Sequence, residues 1–132
     1  MSVKLKGGCL CGSVRFEADI ESQFSIQCCC RQCQKITGTG HASQFSLPKM
    51  QVTFTGEPKI YRMSADSGNV VSSAFCSNCG NPMFKASSGY PDTLFFHAAT
   101  LDDPSLFHPQ AVVWSKSKQP WDCLDPNLPV ST

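Results

Sequence analysis

Cysteine is the residue through which this chain could do chemistry. There are nine, and eight fall into three tight groups. Cys9 and Cys11 stand at Cys-x-Cys spacing and Cys76 and Cys79 at Cys-x-x-Cys. Cys28-Cys29-Cys30-Arg31-Gln32-Cys33 overlaps both spacings at Cys30. Thiolates one or two residues apart let a short backbone segment present two sulfurs to one tetrahedral zinc ion. Cys9, Cys11, Cys76 and Cys79 form a complete set of four, so a zinc ion there is saturated and structural. The 65 residues from Cys11 to Cys76 then have to fold back so that a late hairpin meets the first strand.

Cys28, Cys30 and Cys33 supply three thiolates. If Ser25 to Cys30 is extended, alternate side chains share a face. Cys28 and Cys30 then point together, Cys29 packs on the opposite side, and Cys33 joins from a tight turn. Three readings compete: a second structural zinc completed by His41 or Cys123, an open site whose fourth position takes water or a substrate thiol, and a weakly binding redox or reserve site. The lack of an evident fourth cysteine favours the open site, giving two zinc ions per chain.

The elements that must position these sulfurs are short and β-type. Val14–Ala18, Gln51–Phe54 and Lys59–Met63 alternate apolar and polar residues. Val70–Phe75 runs into the third cysteine group, and Thr93–Ala98 is a further strand. Gly56-Glu57-Pro58 and Ser64 to Asn69 read as turns. Nine prolines and nine glycines leave little room for long helices; one or two helical turns are expected around Arg31–Thr37, stopped by Gly38. The expectation is a mainly β single domain, 1–132, of eight to ten strands, with a Pro-rich coil tail from about residue 122.

Composition removes several function classes. The charged fraction is 16%, the apolar fraction 41% and the net charge +1. No basic stripe tracks a phosphate backbone, so no nucleic-acid partner is expected. No apolar run reaches membrane-spanning length, so no membrane partner is expected. Nine cysteines without an apolar leader suit a reducing compartment, which places the chain in the cytoplasm with its thiols available to metal.

Three stretches carry a family resemblance. Gly7-Gly8-Cys9-Leu10-Cys11-Gly12-Ser13-Val14-Arg15-Phe16, Cys28 to Gly38, and Phe75-Cys76-Ser77-Asn78-Cys79-Gly80-Asn81-Pro82 resemble the motifs of the glutathione-dependent formaldehyde-activating enzyme family. Thr100 to Pro104 and Trp114 to Trp121 are also similar to it. The resemblance implies an Mss4-like fold of several bent antiparallel sheets around a structural zinc held by Cys9, Cys11, Cys76 and Cys79. It also implies a second, functional zinc held by Cys28, Cys30 and Cys33. The activity it implies is that of a carbon–sulfur lyase joining a thiol such as glutathione to a small aldehyde. The other reading is an Mss4-like scaffold or protein-binding module without catalysis. Cys29 stands where the family usually has histidine.

For that chemistry a bound thiolate would attack the aldehyde carbon, and His41, Arg31 or Lys35 would serve the resulting oxyanion. Arg31, Lys35 and Lys49 are candidates for substrate carboxylates. His97 reads as a packed histidine, His108 as a loop residue, Trp114 and Trp121 as core-closing aromatics, and Asp102-Asp103 as turn chemistry.

Overall fold

The computed structural model describes residues 3–20 and 24–132. Among them are ten strands and one α-helix. In chain order these are β1 Val3–Gly8, β2 Arg15–Ile20, β3 Ser25–Cys28, α1 Arg31–Thr37, β4 Ala42–Pro48, β5 Val52–Thr55, β6 Lys59–Ser64, β7 Val70–Phe75, β8 Pro82–Ser87, β9 Tyr90–His97 and β10 Ala111–Val113. Among the described residues no helix is long and apolar enough to cross a membrane.

The strands form two sheets, one of three strands in the order β1-β2-β5 and one of seven in the order β10-β3-β4-β9-β8-β7-β6. The mainly β expectation holds, with one departure. β10 pairs with β3 in parallel, so the large sheet is not wholly antiparallel. The Pro-rich tail is turn and coil, with one bridge to β10. Ser131 N–H donates to the Val112 carbonyl at 2.8 Å, and Val112 N–H donates to that of Pro129 at 2.9 Å, adding the tail to the edge at β10.

Strand alternation gives the large sheet two unlike faces. On one, Phe45 and Phe84 both lie opposite Phe96, and these residues pack against the small sheet. Phe96 is the hub of this core, its ring centroid 4.3 Å from that of Phe16 and 5.1 Å from that of Phe84. On the other face, Gln44 lies opposite His97, and Lys85 lies opposite Phe95 and Ser73. Gln44, His97 and Ser73 are buried there, an unusual polar set for a strand surface.

That polar face lies against α1. The Cys30 side chain caps the helix N-terminus by accepting from Cys33 N–H, and Gly38 ends it at φ 75°, a left-handed conformation that costs glycine little. Cys33 and Gln34 are the helix residues turned inward.

Candidate metal centres

The two cysteine sets come together as two separate clusters. In the first, the sulfurs of Cys9, Cys11, Cys76 and Cys79 all lie within 4.8 Å of one another. Cys9 and Cys11 follow β1, and Cys76 and Cys79 follow β7, so the cluster ties the small sheet to the large one. The Sγ atoms of Cys9 and Cys11 are 3.7 Å apart, as are those of Cys11 and Cys76. A zinc–sulfur distance of about 2.3 Å in a regular tetrahedron puts neighbouring sulfurs about 3.8 Å apart, so the donor set fits the ion.

The surrounding groups aim dipoles at these sulfurs. Val14 N–H donates to Cys9 Sγ at 3.3 Å, and the N–H groups of Asn78 and Cys79 each donate to Cys76 Sγ at 3.4 Å. Asn78 Nδ2 reaches Cys11 Sγ at 3.3 Å. Gly12 N–H bonds to the Cys9 carbonyl and Gly80 N–H to the Cys76 carbonyl, closing the turns so that their neighbours face the sulfurs. Gly80 adopts φ 76°, which a side chain would strain. Ser13 Oγ lies 3.0 Å from Cys11 Sγ and 3.1 Å from Cys76 Sγ. With help from Asn78, that hydroxyl pulls the Cys11 thiol down to about 5 and lowers Cys76 as well.

In the second cluster, Cys28, Cys30 and Cys33 converge within 4.8 Å. Cys28 ends β3, Cys30 caps α1 and Cys33 lies in its first turn, so one strand-to-helix junction supplies all three. Hydrogen bonds from the Cys28 and Cys33 thiols hold the Cys30 sulfur as a thiolate, down to about 2. The same contacts with Cys30 and then Cys33, together with burial, push Cys28 far above the usual thiol range. Three sulfurs this close cannot all ionise without a cation among them.

His41 is not part of this cluster. Its Nδ1 lies 2.8 Å from Asp122 Oδ2, a carboxylate that sequence reasoning did not single out. Asp122 packs so closely on Gly40 that an added Cβ would lie 2.4 Å from its Cγ. A carboxylate only accepts, so His41 Nδ1 carries the proton of this hydrogen bond. Cys29 is fully buried outside the group, and Cys123 is exposed.

Two further residues face Cys33 from the sheet. Lys85 Nζ lies 3.0 Å from its Sγ and Gln44 Nε2 3.8 Å away. Burial pulls the Lys85 ammonium down, but its contact with the Cys33 sulfur and the nearby Cys30 and Cys28 sulfurs outweighs that and leaves the group raised. Neither Lys85 nor Gln44 was anticipated. The available signal was a lysine within the otherwise apolar β8 stretch Met83-Phe84-Lys85-Ala86.

Two clefts flank the helix. One, of about 370 Å³, is lined by Gln32, Lys35, Ile36, Tyr61, Met63 and Ser73 among others. The second, of about 320 Å³, gathers Thr37, Thr39, His41, Ser43, His97 and Thr100 beside Asn81 and Pro82. His97 is buried there, and neither ring nitrogen has a partner. Of the remaining candidates, Arg31 donates to Gln34 Oε1, Lys49 is exposed beyond β4 and His108 is exposed. Trp114 and Trp121 do not close a core. They are 43% and 67% exposed, and Lys116 Nζ sits 5.2 Å from the Trp114 ring centroid. Asp102 forms a two-pronged pair with Arg15, and Asp103 caps the turn at Ser105.

The sequence profile of the family described as glutathione-dependent formaldehyde-activating enzyme matches residues 4–117. No curated protein matches the chain. Among solved structures, a crystal structure of a Rhodobacter sphaeroides protein from structural genomics shares the fold. It has a TM-score of 0.61 and 17% identity, covering 96% of this chain and 99% of that one.

Proposed function

The chain belongs to the glutathione-dependent formaldehyde-activating enzyme family, and on that premise we propose that it is a zinc-dependent carbon–sulfur lyase adding a glutathione-like thiol to a small aldehyde. The observation that carries this reading is the three-sulfur cluster, one ligand short of a tetrahedron and separate from a cluster of four. Cys9, Cys11, Cys76 and Cys79 would hold a structural zinc, and Cys28, Cys30 and Cys33 a functional one. Bound at the second cluster, zinc supplies the positive charge that keeps an incoming thiol ionised near neutral pH.

The reaction is an addition that needs no redox partner. The thiol sulfur bonds to the carbonyl carbon, the carbonyl π pair moves onto oxygen, and the proton lost by the thiol ends there. We assign the proton-handling step to His41. Asp122 orients its ring through Nδ1, and His41 lines the cleft at the end of α1. A chain with so many free thiols suits the reducing cytoplasm, where we place it.

Catalytic amounts of the zinc-loaded protein should accelerate exchange in a glutathione–formaldehyde mixture, followed by NMR exchange spectroscopy. No acceleration over the uncatalysed rate would rule out this substrate pair. In parallel, Cys33→Ser should abolish the acceleration while retaining the fold and one zinc per chain. Unfolding of that variant would make the second cluster structural and favour a non-catalytic scaffold.

A further inference from the structure

The two clusters balance their negative charge by different means. Around the four-sulfur cluster the donors are neutral dipoles: the N–H groups of Val14, Asn78 and Cys79, the Asn78 amide and the Ser13 hydroxyl. Fixed dipoles suit a closed site, because its charge never changes once the ion is bound. At the three-sulfur cluster the closest donor is a full cation, the Lys85 ammonium at 3.0 Å from Cys33 Sγ. Gln44, at 3.8 Å, adds only a weak dipole to the same sulfur.

Lys85 is not held there by an acid. Among the described residues the ion pairs are Lys4–Glu17, Arg15–Asp102 and His41–Asp122, none of them involving Lys85. A half-buried ammonium without a carboxylate partner is costly to desolvate unless a negative charge lies close by. Its place on the strand is dictated by the core. Phe84 has to face Phe96, so the next residue, Lys85, emerges on the opposite face towards α1 and Cys33.

We propose that Lys85 is the counter-cation of the three-sulfur site, and that its role is to let that site accept an anionic fourth ligand, namely a thiolate. The inference rests on the open-site reading given above. Three thiolates and a divalent ion sum to one negative charge, and the ammonium brings the ensemble to neutrality. A thiolate can then enter without meeting net repulsion in a partly desolvated space. With a neutral side chain at this position, the same ligand would enter an already anionic site. Lys85 thus selects the charge of the ligand. It is a positioning residue, because it acts through Cys33 and the charge of the site.

The test uses the full chain loaded with cobalt(II), whose sulfur-to-metal charge-transfer bands report thiolate ligation directly. Wild type, Lys85→Met and Lys85→Arg are compared for cobalt stoichiometry, cobalt affinity against a chromophoric chelator, and affinity for 2-mercaptoethanol read from the charge-transfer intensity. The four-cysteine site serves as the internal control for folding. Wild type should take two equivalents. Lys85→Met should bind thiol at least roughly tenfold more weakly at pH 7, as expected for one unit charge about 4 Å away at an intermediate dielectric. Lys85→Arg, which keeps the charge, should recover most of that loss. Two equivalents of cobalt with unchanged thiol affinity in Lys85→Met would overturn the role of Lys85 alone. A single equivalent in wild type, held by the four-cysteine site, would sink the open-site reading and this inference with it.

Discussion

At the scale of single residues, His97 shows how a buried polar group makes stability depend on pH. Burial, reinforced by the charge of Lys85, lowers its pKa from 6.5 to about 4, so the ring is neutral at pH 7. A depressed base binds fewer protons in the folded chain than in the unfolded one between those two values. Stability therefore rises with pH across that window and falls as pH drops from 6.5 towards 4. The interval corresponds to about 3 kcal/mol, fully expressed only below pH 4. His97→Leu removes both the titration and two unpartnered nitrogens. It should be at least as stable as wild type at pH 7, and urea denaturation at pH 4.5 should show it more stable by about 2 kcal/mol. A parallel loss in both proteins between pH 7 and 4.5 would show that His97 is not the group responsible.

At the scale of elements, the position of α1 depends on Gln34. Its Nε2 donates to the Cys29 carbonyl at 2.7 Å and the Ser117 carbonyl at 2.9 Å, while its Oε1 accepts from Arg31 and, at 3.3 Å, from Gln119. One buried amide thus joins the β3–α1 junction, the helix and the segment beyond β10. Gln34→Leu would strip the Cys29 carbonyl of this donor and leave the Ser117 carbonyl only Gln119 Nε2 at 3.4 Å, costing about 1–3 kcal/mol by thermal or urea denaturation. Because Cys30 and Cys33 flank this amide, the same variant should weaken metal binding at the three-sulfur cluster and leave the four-sulfur cluster unchanged. Competition with a chelator measures both. Equal weakening at the two clusters would mean that the damage is global.

At the scale of the whole molecule, much of the frame was legible from local pattern. The spacing of Val70–Phe75 and Lys59–Met63 marked β7 and β6 almost to the residue, and the Cys-x-Cys and Cys-x-x-Cys pairs foretold which sulfurs would converge. Long-range register is not written in any short window, and there the reading stopped. Lys85, Gln44 and Asp122 reach the candidate site only because β8, β4 and the tail are brought together by pairing across the chain. Trp114 and Trp121 look like core residues by type, yet they lie on the surface, and phenylalanines fill the space between the sheets. That space is closed from one side by packing around Phe96 and from the other by the four-sulfur cluster, which joins positions 65 residues apart between Cys11 and Cys76. A metal ion there restricts the unfolded chain as well as holding the sheets, whereas an ion at the three-sulfur cluster bridges only a six-residue segment, Cys28 to Cys33. The two ions should therefore differ sharply in their effect on folding. Stepwise chelation of the zinc-loaded protein should remove the first equivalent with little change in far-ultraviolet circular dichroism, and the second together with the β signal. Cys76→Ser should lower the thermal midpoint by at least about 10 °C and Cys33→Ser by only a few degrees, as several kcal/mol against one or less would require in a chain of this length.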